Sequence, residues 1–183
     1  MCNELDKQGE FRWDTKTQAY ISLMLKTHDS RLPVHVDLSN RRGKTGVDRL
    51  WRTDSDGLAQ SKQNLHDIMD SLERNVSITH LDLSSNAIPY EGLKIIVQQL
   101  EQRDAYLLEK YNNKLSQLRA NNKFVSINLA NNNFQSKPCA ELMASFIEDT
   151  YLTTIDFSHS GWHEGSKPML KKAAKKNERL KLI

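Results

Sequence analysis

The chain repeats itself. Ile78-x-x-Leu81-x-Leu83-x-x-Asn86-x-Ile88 is one unit and Phe124-x-x-Ile127-x-Leu129-x-x-Asn132-x-Phe134 a second. Leu152-x-x-Ile155-x-Phe157-x-x-Ser160-x-Trp162 is a third, with Ser at the Asn position, and Val36-Asp37-Leu38-Ser39 is a degenerate fourth that precedes them. A unit of this size cannot bury its apolar face alone; it does so by stacking on its neighbours. The alternating pair Leu81/Leu83 places two side chains on one face of a short strand. The Asn that follows, whose amide both donates and accepts, satisfies backbone groups where the chain turns away from that strand.

The segments between the strands also repeat. Leu65, Ile68, Met69 and Leu72 stand at i, i+3, i+4 and i+7, as do Leu93, Ile96, Val97 and Leu100, and Cys139, Leu142, Met143 and Phe146. Each set predicts one apolar stripe of an amphipathic helix. Ile127 to Ile155 is 28 residues, but Val36 to Leu81 is 45 and Leu81 to Ile127 is 46, so two units carry insertions. Matching strand-to-helix spacings place the insertions near 41–60 and 101–123. The first is polar and Gly-containing, and reads as a surface loop with at most a short helix. The second carries Leu107, Leu108, Tyr111, Leu115 and Leu118 at helical spacing. A straight helix there would carry the chain about 27 Å past the next strand, so a bend or helical hairpin is expected near Gln102 to Ala105.

The ends read as caps. Tyr20, Leu23, Met24 and Thr27 predict a helix over the first strand, within an N-terminal cap at 1–33. The repeats then occupy 34–162 and a capping helix 163–183, all as a single domain. Ser166-Lys167-Pro168 opens that last helix as Ser136-Lys137-Pro138 opens the one before, with Ser as N-cap and Pro in the first turn. Leu170, Ala173 and Ala174 are expected to face inward, and Leu180 and Leu182 to close the core. By the spacing of the other units a further strand would fall beyond residue 183, so about four strands are expected.

The stretch from Leu81 to Leu100 resembles a ribonuclease-inhibitor-type leucine-rich repeat, and the resemblance covers roughly 34–182. It implies an α/β fold: a short leucine-rich-repeat solenoid with a parallel sheet on the concave face and helices on the convex face. It also implies that the concave face grips another protein. A free-standing set of about four repeats is further similar to the short leucine-rich-repeat effectors of intracellular bacterial pathogens. The lost Asn at Arg41 and Ser160 and the two insertions depart from the family pattern.

If Leu81 and Leu83 point inward, His80, Asp82 and Ser84 point out. The corresponding positions are His35, Asp37, Ser39; Ser126, Asn128, Ala130; and Thr154, Asp156, Ser158. Asp37, Asp82, Asn128 and Asp156 thus form a column, read either as ordinary solvation of a sheet face or as an acidic stripe for Arg and Lys of a partner. The first insertion adds Arg41, Arg42, Trp51 and Arg52, residue types enriched at binding hot spots, although Trp51 could equally pack beneath its own loop. His159 is expected on an exposed turn and Trp162 in the core. The expected partner-binding set is therefore His35, Asp37, Arg41, Arg42, Trp51, Arg52, His80, Asp82, Asn128, Thr154, Asp156 and His159.

Chemical motifs mostly fail. Gly43-Lys44-Thr45 lacks the upstream Gly of a phosphate loop, where Leu38 stands. Asp54-Ser55-Asp56-Gly57 lacks the spaced oxygens of a calcium loop. His159 and His163 are four apart, but Ser160 stands where a zinc-protease motif has its Glu and no helix is expected to hold the pair. Cys139 takes a repeated core position, and Asn75-Val-Ser77 is a formal sequon that matters only on secretion. Neither a disulfide framework, a signal-peptide core nor an apolar run of membrane-spanning length is present. The basic end, seven cations against two carboxylates from His163 to Ile183, reads as a solvated cap.

The expectation is thus a cytoplasmic, non-catalytic protein-binding module without cofactor or metal, monomeric or weakly dimeric. It would bind neither nucleic acid nor membrane, and would inhibit or modulate a partner enzyme; as a bacterial effector it would be translocated into a host cell. The alternatives are a structural protein such as a filament-capping repeat domain, or a hydrolase using His35, His80, Asp37 and Asp82.

Overall fold

The computed structural model describes residues 34–39, 51, 55–72, 75, 78–122 and 124–183. The N-terminal cap helix and most of the first insertion, including Arg41, Arg42 and Arg52, lie outside the described residues. The elements run β1 (Val34–Asp37), α1 (Ser55–Leu72), β2 (Ile78–Asp82), α2 (Tyr90–Lys110), α3 (Leu115–Asn121), β3 (Ser126–Asn128), α4 (Lys137–Asp149), β4 (Thr154–Asp156), a 3₁₀ turn (Glu164–Ser166), α5 (Lys167–Lys176) and β5 (Lys181–Leu182). The strands form one parallel sheet in chain order, β1-β2-β3-β4-β5. Val36, Leu81, Ile127, Ile155 and Leu182 stand in register across it.

The periodic apolar residues form the core. The strand positions Leu81, Leu83, Ile127, Leu129, Ile155 and Phe157 join one buried cluster with Leu65, Ile68, Met69, Leu72, Leu93, Ile96, Val97, Leu100, Cys139, Met143 and Phe146. Trp162 packs against the same cluster, its ring centroid 5.4 Å from Phe134 and 5.3 Å from Phe157, and its indole N–H donates to the Phe157 carbonyl at 3.1 Å.

The turns after the strands are bonded to one another. The Asn86 amide donates to Leu38 O (2.8 Å) in the preceding unit and to Leu83 O (3.1 Å) in its own. Asn132 repeats this with Leu83 O (3.1 Å) and Leu129 O (2.8 Å), while its Oδ1 accepts from the Asn86 and Ile88 N–H groups at 3.2 and 3.0 Å. Ser160 does the same work with a hydroxyl, donating to Leu129 O (3.0 Å) and accepting from Asn132 N (3.3 Å). Ser85, Asn131 and His159, at equivalent positions of the three turns, all take left-handed backbone, with φ of 62°, 55° and 55°.

Three expectations are corrected. α1 begins at Ser55, so the end of the first insertion is helical rather than loop. The expected bend at Gln102–Ala105 is absent: α2 runs unbroken to Lys110, and the chain reverses at Tyr111–Lys114 before α3. Arg103 is drawn into the interior and Leu107 is buried, so the helix keeps its partners past the predicted break. The reversal falls on Asn112 and Asn113, both left-handed (φ 52° and 58°), a conformation that Asn tolerates well. Finally, the sheet has five strands among the described residues, not about four. α5 spans 10 residues against 13 in α4, so the chain returns early enough for Leu182 to pair with Ile155.

Asn132→Ala removes both donors and an acceptor shared by two buried N–H groups, and is expected to cost about 2–4 kcal/mol in urea denaturation. Ser160→Ala, losing a single hydroxyl, is expected to cost about half as much. Equal losses would mean that the Asn is not the stronger tie.

Candidate protein-interaction face

The parallel register builds the polar face of the sheet. His35, His80, Ser126, Thr154 and Lys181 form one row across the strands, and Asp37, Asp82, Asn128 and Asp156 form the next. The alternation of a strand makes both rows project opposite the core. His35 and His80 are exposed, with ring centroids 5.4 Å apart, and Nδ1 of His80 lies 2.8 Å from Thr79 Oγ1. Thr154, Asn128 and Asp156 are half-buried and Asp37 is exposed.

The acidic row has a structural task that residue spacing did not reveal. In each member one side-chain oxygen accepts from the backbone N–H two residues on: Asp37 from Ser39 (2.9 Å), Asp82 from Ser84 (2.9 Å), Asn128 from Ala130 (3.0 Å) and Asp156 from Ser158 (2.9 Å). These Asx turns stop each strand. Asp82 is only 5 % exposed, and its second oxygen accepts from Nδ2 of Asn128 at 3.0 Å. Asn128 is thereby held in one amide orientation between two carboxylates, where a third Asp would add repulsion. The stripe is not the uniformly outward row expected: Asp82 is enclosed, as are Ser84 and Ala130.

Trp51 is corrected outright as a surface anchor. It is 2 % exposed and part of the core. It abuts Gly92 of α2, where an added Cβ would come within 2.6 Å of Ile88 Cγ2 and 2.9 Å of Trp51 Cζ3. His159 is exposed on its left-handed turn, as expected. Cys139 is buried, and desolvation pushes its thiol pKa up, which disfavours the reactive thiolate. Asn75 is buried with Oδ1 accepting from Ile78 N at 2.8 Å, so the formal sequon is occupied by a structural role. Among the described residues no group of three or more His, Cys, Asp or Glu side chains is placed to hold a metal ion, and no helix is long and apolar enough to cross a membrane.

Two polar features on the helix side escaped the sequence reading. Arg103 is 1 % exposed; its Nε donates to Leu72 O (3.1 Å) and one terminal nitrogen to Asn75 O (3.3 Å), closing the C-terminal end of α1. Its guanidinium lies 5.2 Å from the Phe124 ring centroid. Burial lowers its pKa to about 10, with the Asp104 charge opposing, so it stays protonated at neutral pH. Asn177 performs the same service for α4, donating to Ile147 O (2.9 Å) and Thr150 O (3.0 Å). Neither residue belongs to an apolar stripe, and a polar residue at such a position gives no sign in the sequence that its neighbour's carbonyls need it. Beside Arg103, Asp104 accepts from Tyr151 N at 3.3 Å and lines a cleft of about 220 Å³ with Glu101, Leu108, Phe146 and Tyr151. Desolvation raises its pKa to about 6 against the pull of the Tyr151 N–H and the Arg103 and Arg179 charges.

No protein-family model and no curated protein matches this sequence. Nineteen solved chains do. One is the leiomodin-1 domain designated actin-binding site 2, 16 % identical, covering 89 % of this chain and 75 % of that one, with a TM-score of 0.57. Another is the tropomodulin C-terminal domain of Caenorhabditis elegans, 13 % identical, covering 88 % of this chain and 93 % of that one, with a TM-score of 0.45. At such identity the leiomodin likeness speaks to the fold: a mixed α/β, leucine-rich-repeat-like domain. Neither named match is a ribonuclease inhibitor or a bacterial effector.

Two outcomes follow from the buried charges. Arg103→Met removes the side-chain donor shared by the Leu72 and Asn75 carbonyls and is expected to cost about 3 kcal/mol in denaturant unfolding; a loss under about 0.5 kcal/mol would refute the capping role. Asp104 titrates at about 6 when folded and near 3.8 in the unfolded chain, so the folded state holds the proton more tightly. Stability is therefore expected to fall as pH rises from about 4 to about 6, by up to about 3 kcal/mol, and to level off above. Asp104→Asn should abolish that slope; a stability difference between the two proteins that ignores pH would show that Asp104 is not its source.

Proposed function

We propose that this chain is a non-catalytic protein-binding domain acting in filament assembly, with actin as its partner. The observation that carries this is the structural likeness, over 89 % of the chain, to a domain designated actin-binding site 2 in leiomodin-1. The contact surface on this reading is the open row of the sheet, His35, His80 and Thr154, flanked by Asp37, Asn128, Asp156 and the exposed turn at His159. Asp82 positions that surface from beneath. A short solenoid of repeats over 34–162, capped by 163–183, would present it as one rigid face in the cytoplasm.

The polar chemistry supports binding over catalysis. The carboxylates are engaged by backbone N–H groups, and Asp82 also by Asn128; the two imidazoles are tilted against each other, and the one hydroxyl bonded to them, Thr79 Oγ1 at 2.8 Å from His80 Nδ1, belongs to the adjacent residue of the same strand. The enzyme-inhibitor and effector readings rest on the style of the repeat alone and have no structural counterpart among the named matches.

Co-sedimentation with filamentous actin, paired with elongation of labelled actin from each filament end, tests the proposal. Saturable pelleting or slowed growth at one end is expected. His80→Glu combined with Thr154→Arg touches no strand-ending turn, and should weaken binding at least about tenfold, worth about 1.4 kcal/mol, at unchanged melting temperature. Absence of any effect on pelleting and elongation would overturn the actin reading.

A further inference from the structure

α5 is divided lengthwise. Leu170 and Ala173 are buried, Met169 and Ala174 pack against the core, and Lys167, Lys171, Lys172, Lys175 and Lys176 are exposed. At 3.6 residues per turn these five lysines occupy one half of the helix circumference. Lys176 is bound to Glu148 at 2.7 Å; the ammonium groups of the other four have no acidic partner among the described residues. Arg179 and Lys181, both exposed, extend the basic surface past the helix end. From His163 to Ile183 the net charge is +5, whereas the whole chain carries +3.

The surface is also held rigid. Asn177 ties the end of α5 to the carbonyls of Ile147 and Thr150, Leu180 is buried, Arg179 lies over the Tyr151 ring at 5.7 Å, and β5 pairs with β4. The lysines thus line one side of an anchored helix rather than a frayed tail. Concentrated like charge that no internal partner neutralises costs free energy by self-repulsion, and it is most strongly relieved by an external anion array.

The chemistry of the patch selects the array. Lysine offers a compact, strongly hydrated point charge, without the planar fork that reads a carboxylate or phosphate in a set geometry. The lysine half of α5 carries no aromatic side chain on which a base could stack, as single-stranded nucleic acid requires. A row of point charges along one side of a helix suits a diffuse negative plane, to which each lysine contributes about 1 kcal/mol. We propose that the lysine face of α5 docks this domain on an anionic lipid bilayer. The attachment is electrostatic and peripheral, because the apolar stripe of α5 is already committed to the core and is not available for insertion.

The test is sedimentation of the full chain with vesicles of phosphatidylcholine alone and with about 30 mol % phosphatidylserine, at low and high salt, beside a duplex DNA binding titration. Binding is expected to phosphatidylserine vesicles only, and to be lost at about 0.5 M salt, where screening shortens the reach of each charge. Lys171→Glu, Lys172→Glu and Lys175→Glu together should weaken it about a hundredfold or more with an unchanged circular dichroism spectrum. Should that variant fail to fold, neutralising Gln substitutions at the same three positions should give a smaller loss in the same direction. Equal binding to neutral vesicles, binding indifferent to the three substitutions, no vesicle binding at low salt, or tight duplex DNA binding without vesicle binding would each overturn the proposal.

Discussion

The strands β2, β3 and β4 each end by turning away inside the molecule, and the turn leaves carbonyls and N–H groups with no sheet partner and little access to water. A buried backbone group left unpaired costs about 1–3 kcal/mol, and the stack contains such a turn after each of β2, β3 and β4. Asn86, Asn132 and Ser160 meet that cost, each bonding its own turn and the one before. Because every link spans two units, the turns fix the spacing of the strands, and the strands then fall into the common register that aligns the polar rows. The left-handed residues Ser85, Asn131 and His159 are a consequence of the same geometry.

The opposite end of each unit raises the same difficulty at a helix C-terminus, where the last carbonyls lack intrahelical partners. Here the answer comes from the following helix. Arg103 reaches back from α2 to α1 and Asn177 from α5 to α4. A cation takes the first of these places at the expense of desolvation, visible in its depressed pKa, and a facing aromatic ring and the adjacent Asp104 partly offset it. The α1–α2 and α4–α5 pairs are therefore plugged at the helix end while the turn ladder bonds the units at the other, with the apolar stripes between.

This division of labour leaves specific surfaces for function. The acidic row of the sheet serves first to end strands, which removes Asp82 from direct contact and leaves the row of His35, His80 and Thr154 as the accessible part. The actin reading places the partner there. The lysine face of α5 stands apart from it, on a helix whose inner side closes the core, so a domain held by α5 would keep the sheet face open.

The periodic apolar residues and the turn Asn could be read from the sequence because each is set by local geometry: alternation in a strand, 3.6 residues per turn in a helix, one amide per turn. That reading determined the parallel α/β architecture, the strand register, the core helix stripes and the outward rows. Tertiary structure alone decided where α2 ends, since helix length there depends on Arg103 finding carbonyls 28 and 31 residues away. It alone added β5, because the early return of the chain depends on where Asn177 docks. It alone moved Trp51 inside and enclosed Asp82, since burial depends on what packs over a side chain and not on its own type. The strand and helix patterns are written in neighbouring residues; polar plugs, caps and enclosed carboxylates are defined by groups far along the chain, and no local pattern carries them.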